Sequence, residues 1–213
     1  MTLAFQSSLF DDLDGDPELE QLGDSVQRIE LTEGAWLDIR PGWVSNSDAL
    51  FERLAQEVPW QADKREMYDR VVAVPRLVSW FGPDALFPDP VLESAQADLN
   101  KHYGRPKDQV FETAGLCFYR TGDDSVAWHG DRVGRAIDRD TMVAIVSVGA
   151  ARTLSLRPKA GGETQRFALG HGDLLVMGGS CQRTHEHAIL KTKQAVGPRI
   201  SIQFRPHWKR LSA

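Results

Sequence analysis

The residues with the clearest chemical potential are Trp128-His129-Gly130-Asp131, His187, and the pair Arg199 and Arg205. In a β-strand successive side chains point to opposite faces, so His129 and Asp131 project together while Gly130 faces away. Two ligands from one strand and an imidazole from a distant one make a 2-His-1-carboxylate face. That donor set suits a non-haem Fe(II) ion and leaves three positions open. Thr184-His185-Glu186-His187 offers two imidazoles of equal strand parity, and alternation alone does not choose between them.

The arginines carry a matching requirement. Arg199-Ile200-Ser201-Ile202-Gln203-Phe204-Arg205 alternates strictly, with Arg199, Ser201, Gln203 and Arg205 on one face and the apolar residues on the other. Two guanidiniums on the inner face of a core strand are costly without an anion, and a dicarboxylate met by a fork supplies one. A His-x-Asp triplet alone arises often by chance. Here a strand-turn-strand pattern precedes it (117–119 to 126–128), and a second histidine follows 58 residues later.

The elements that must position these groups are legible. The chain has 213 residues, 41% hydrophobic and 26% charged, which suits one domain with a sizeable core. Residues 1–24 read as an acidic, loosely ordered leader and 25–213 as a single domain. The segment 26–41 alternates well enough for two strands around Glu33-Gly34. A helix is expected through 49–55, N-capped within Ser45–Asp48 and closed before Pro59, and a second from Val91 to Tyr103. Between them Val71–Val74 reads as a strand stopped by Pro75.

After Pro106 the texture becomes strand and turn. Eight candidates follow: 110–119, 125–131, 142–148, 152–156, 166–169, 173–177, 185–189 and 199–204. Short strands at this spacing suggest a sandwich or jelly roll. The fold class expected is α+β, mainly β: a double-stranded β-helix over about 107–208 with supporting N-terminal helices.

Charge and cysteines bound the rest. The net charge is −5, but nine acids and one base fall in residues 1–34, leaving 21 acids against 24 bases beyond them. A mildly basic body permits a phosphate-backbone partner without demanding one. Cys117 and Cys181 make no disulfide framework, no run is long and apolar enough for a membrane span, and no secretory leader is visible. A cytoplasmic monomer is the default expectation.

The pattern Tyr119, Trp128-His129-Gly130-Asp131, His187, Pro198-Arg199-x5-Arg205 resembles the AlkB-type family of Fe(II)/2-oxoglutarate dioxygenases over roughly residues 70–208. The resemblance implies iron on His129, Asp131 and His187, the interval of 12 from His187 to Arg199 favouring His187 over His185. It implies 2-oxoglutarate and O₂ as cosubstrates, with the distal carboxylate on Arg199 helped by Tyr119. Arg205 would lie near the chelating end, and Ser201 stands where the family often has an asparagine. The activity implied is oxidative dealkylation of N-alkylated bases in DNA, or in RNA, releasing aldehyde, succinate and CO₂.

A base flipped into a pocket needs aromatic surfaces and phosphate contacts. Trp80 and Phe81, with Trp60, Tyr68 and Phe87, are candidates for the first; Arg76, Arg132, Arg135 and Arg157 are candidates for the second. Each is also readable as ordinary packing or solvated surface. The chain departs from the family at Cys117, where an asparagine near the cosubstrate is usual, and at Val133, where a carboxylate reading the base edge is usual. These departures keep open a second reading, a hydroxylase of a protein side chain or small metabolite on the same fold.

Overall fold

Alternation and turn chemistry dictate the architecture, and the computed structural model describes it for residues 15–67, 70–104, 110–131 and 140–207. In chain order come β1 (Glu18–Leu19), β2 (Gln27–Glu30), β3 (Ala35–Arg40), β4 (Val44–Ser45), α1 (Ser47–Glu57), β5 (Gln61–Met67), β6 (Arg70–Phe81) and α2 (Pro90–Tyr103). Then follow β7 (Phe111–Tyr119), β8 (Val126–His129), β9 (Val143–Gly149), β10 (Arg152–Pro158), β11 (Gln165–Leu169) and β12 (Asp173–Gly179). A one-turn helix α3 (Cys181–Thr184), β13 (His185–Ile189) and β14 (Arg199–Pro206) complete the order.

An eight-stranded sheet, β2-β3-β12-β9-β14-β7-β6-β5, faces a four-stranded sheet, β11-β10-β13-β8, and the described pairings are antiparallel. Leu154, Leu156, Leu169 and Ile189 of the small sheet pack with Val143, Ile145, Leu175 and Met177 of the large one. On the other face of the large sheet, Ile200, Ile202 and Phe204 of β14 meet Leu50, Phe51 and Leu54 of α1 and Leu92, Ala95 and Leu99 of α2. This is the jelly roll with helical support that the strand spacing suggests. All eight strands expected after Pro106 form, with ends shifted by a residue or two.

Three features differ from expectation. Pro75 does not stop a strand: β6 runs through it, because Pro75 sits where the β5–β6 register shifts and no ladder N–H is required of it. Of the acidic leader, residues 15–24 are described and partly packed, with β1 paired to β4 and Leu22 buried. The large sheet also takes in β2, β3, β5 and β6, all earlier than residue 107.

The helices are fastened to each other by one carboxylate. Asp89 is buried and its Oδ1 accepts the Val91 N–H at 3.0 Å, capping α2 ahead of Pro90. Its Oδ2 meets Arg53 Nε of α1 at 2.9 Å. Replacing Asp89 with alanine removes both, at a cost of about 1–2 kcal/mol. Thermal unfolding of Asp89→Ala is expected to fall by roughly 2–8 °C; an unchanged midpoint would show that the cap carries no stability.

Candidate active site

The β8–β13 pairing sets the site. His129 and His187 are direct cross-strand partners, which brings their rings to a centroid distance of 4.3 Å at 48°. His129 Nδ1 lies 2.8 Å from the Ala127 carbonyl, so that nitrogen carries the proton and Nε2 is left as a donor of electrons. Nε2 stands 3.6 Å from Asp131 Oδ1, and one ligand atom from each of His129, Asp131 and His187 falls within 4.8 Å of the others. Among the described residues this is the group of histidine and carboxylate ligands that could hold an ion.

Asp131 is oriented from two directions. Its Oδ2 accepts Arg205 Nε at 2.7 Å and its backbone N–H donates to Gln182 Oε1 at 2.8 Å. Gly130 must be glycine for a steric reason: a Cβ there would stand 2.6 Å from the Gln182 carbonyl oxygen. Burial by itself would raise the Asp131 carboxyl, but Arg205, with His187 and His129, outweighs it and holds the group at about 2. Burial pushes His187 down from 6.5 to about 4, against the attraction of Asp131. The carboxylate is therefore ionised and the His187 imidazole neutral at neutral pH, the protonation states a metal requires.

From this cluster a cavity of about 430 Å³ runs between the sheets to Tyr119 and Arg199. Arg199 is 1% exposed; its Nε donates to Ser147 Oγ at 2.8 Å and its guanidinium lies 5.3 Å from the Tyr119 ring centroid. Burial lowers the Arg199 pKa and raises that of Tyr119. Among the described residues Arg199 Nη1 is buried without a hydrogen-bond partner. Such a buried donor costs roughly 1–3 kcal/mol, and a carboxylate entering the cavity satisfies it. A keto acid bound to an ion at one end and to Arg199 at the other fits this donor set.

Polar side chains from β6, β7 and β14 lie along one part of the cavity wall, and Val126, Ile145, Leu154 and Ile189 line the rest. Gln203 Nε2 donates to Ser201 Oγ at 3.2 Å and approaches Cys117 Sγ at 3.6 Å, while its Oε1 accepts Arg205 Nη2. Arg76 Nε meets Cys117 Sγ at 3.4 Å and its Nη1 donates to the Ser125 carbonyl at 3.1 Å. Cys117, Ser201, Tyr119, Arg199, Arg205 and Arg76 thus all line one cavity with His129, Asp131 and His187.

The other candidates scatter. Trp80 is 60% exposed and lies over Gly115 beside Arg205, on the cavity side of β6. Phe81 is not at the cavity: as its chain neighbour it must face the opposite way, and it packs on Phe87, which packs on Phe204 beneath the helices. Trp60 packs on Phe118. Arg157 also points outward, because Leu156 takes the inward position; it stacks 4.1 Å from the Trp128 ring centroid and pairs with Glu186 at 3.0 Å. Arg132, Val133, Arg135 and Tyr68 lie outside the described residues.

His185 turns away from the cluster, its ring against Thr184 and Thr32. His171, in the turn before β12, is held at both ring nitrogens: Nδ1 accepts the Gly149 N–H at 2.7 Å and Nε2 meets Asp48 at 3.1 Å. Sequence reasoning missed Gln182, Ser147 and the role of Gln203. The β14 alternation places Gln203 on the cavity face but does not show its contacts to Ser201, Cys117 and Arg205.

Comparison with known proteins agrees with this geometry. Residues 82–205 match the model of the 2OG-Fe(II) oxygenase superfamily. The chain belongs to that superfamily. It is an oxidoreductase that uses Fe(II), 2-oxoglutarate and O₂, of the AlkB-like kind. It is similar to alpha-ketoglutarate-dependent dioxygenase alkB homolog 3 of Homo sapiens, 28% identical over 210 residues, covering 91% of this chain and 71% of that one. It is also similar to DNA oxidative demethylase ALKBH2 of Mus musculus, 26% identical over 180 residues, covering 76% and 75%. The chain spans 62–64% of the bovine, mouse and rat alkB homolog 3 proteins. Among solved structures, OsALKBH1 superposes with a TM-score of 0.56 at 15% identity, covering 85% of this oxygenase and 100% of that chain.

A pH dependence follows from His187. Its value is depressed on folding, so its contribution to stability is complete above about 6.5 and is lost as pH falls through about 4. Chelator-treated protein is expected to lose stability across that window in denaturant titrations, and His187→Gln to lose less. Equal slopes for the two proteins would contradict a buried neutral imidazole.

Proposed function

We propose that this oxygenase removes alkyl groups oxidatively from N-alkylated bases of nucleic acid, DNA first and RNA as a further substrate. The observation that carries the oxygenase part is the buried, unpartnered Arg199 Nη1 at the far end of a cavity that begins at His129, Asp131 and His187. Similarity to alkB homolog 3 and to a DNA oxidative demethylase supports the nucleic-acid part.

In this reading His129, Asp131 and His187 hold the iron. Arg199, fixed by Ser147 and stacked near Tyr119, takes the distal carboxylate of 2-oxoglutarate. Ser201 and Gln203 face the chelating end, and Arg205 holds Asp131 rather than the keto acid. The iron and 2-oxoglutarate supply the oxidising power; the chain supplies orientation and a shielded cavity. In the overall balance 2-oxoglutarate, O₂ and an N-alkyl group give succinate, CO₂, an aldehyde and the restored N–H. The base must leave its stack to reach the cavity, and Trp80 offers an exposed aromatic face for it at the rim.

Two tests separate the parts. Oligonucleotides carrying 1-methyladenine or 3-methylcytosine, incubated with Fe(II), 2-oxoglutarate and O₂, are expected to exchange methyl for hydrogen by mass. Succinate production without change in any oligonucleotide would favour a protein or small-metabolite hydroxylase. Arg199→Ala is expected to weaken 2-oxoglutarate by about 2–5 kcal/mol, read as KM. Iron binding is expected to be lost in His187→Ala and kept in His185→Ala; the reverse would reassign the ligand.

A further inference from the structure

The turn between β12 and β13 bears on the metal centre. Asp131 lies just past the end of β8, where the pairing to β13 has stopped at His129↔His187, so no ladder partner takes its backbone N–H. Gln182, from α3, supplies the acceptor through Oε1 at 2.8 Å. The amide is itself held. Gln182 Nε2 rests on Met177 Sδ at 3.5 Å, and the Gln182 and Arg183 carbonyls accept Lys159 Nζ at 3.1 and 2.7 Å. The absent side chain of Gly130 lets the chain pass within contact of the Gln182 and His185 carbonyls.

We propose that Gln182 is a positioning residue for the metal centre. By fixing the Asp131 peptide it sets the carboxylate so that Oδ1 faces His129 Nε2 while Oδ2 meets Arg205. Because α3 leads directly into β13, the same turn joins the Asp131 ligand to the strand carrying His187. Gln182 is 5% exposed and sits on the Met177 sulfur, where an apolar side chain would pack at lower desolvation cost. An amide there is explained by the bond it makes. Outer partners of metal ligands of this kind typically change affinity by about 10–100-fold when removed.

The proposal rests on the assignment of His129, Asp131 and His187 as ligands, and the test keeps the two apart. Mn(II), a redox-silent stand-in for Fe(II), is titrated into the full chain and free Mn(II) is read by EPR, beside thermal melts of the metal-free proteins. Binding of one Mn(II) by the parent tests the ligand assignment; the ratio of variant to parent tests Gln182. Gln182→Met keeps the size and removes the acceptor. Gln182→Asn keeps a buried amide but draws the acceptor back by one methylene. Both are expected to melt within a few degrees of the parent and to bind Mn(II) about 10–100-fold more weakly. Parent-like affinity in either folded variant would overturn the proposal. Failure of both to fold without metal would assign Gln182 to the fold and overturn it equally.

Discussion

Two imidazoles on separate strands can share an ion only in one register. A slip of one residue between β8 and β13 would turn either His129 or His187 to the opposite face of the small sheet. The register is pinned from both sides of the site. Leu154, Leu156 and Ile189 must face inward against Val143, Ile145 and Leu175, while Trp128, Arg157 and Glu186 stay outside as a stacked, paired surface. The same packing that buries the apolar residues therefore aims the ligands.

A second constraint is electrostatic. The large sheet turns Arg199 and Arg205 into the interior from one strand, two charges that the core must offset. Arg205 is matched by Asp131, and the pair keeps the carboxylate ionised against its own burial. Arg199 is only partly matched, by Ser147 and the Tyr119 ring. The incomplete pairing at one end and the metal ligands at the other define the two termini of a bound keto acid. Between them Gln203 lies among Ser201, Cys117 and Arg205, providing an amide in contact with all three side chains.

Much of this was legible in the sequence because it is periodic. The alternation of 199–205 separated cavity face from helix face correctly, and the eight strands after Pro106 were bounded by turn residues. Parity placed His129 beside Asp131 but could not separate His185 from His187, which share it; the paired register does. What depends on irregular backbone was not legible. The β6 strand through Pro75 needs a register shift supplied by its partner, and α3 is a single turn without an amphipathic period. Residue type alone marks Phe81 as a base-facing aromatic, whereas the alternation of β6 sends it away from the cavity.

The central claim is that His129, Asp131 and His187 hold one iron and that Arg199 receives the far end of 2-oxoglutarate. Diffraction from crystals grown without oxygen in Fe(II) and 2-oxoglutarate, with anomalous data at the iron edge, tests it most directly. A single iron peak bonded to those three side chains, with a carboxylate on Arg199 Nη1, is the predicted result. An iron peak elsewhere, or a keto acid bound away from Arg199, would contradict the account.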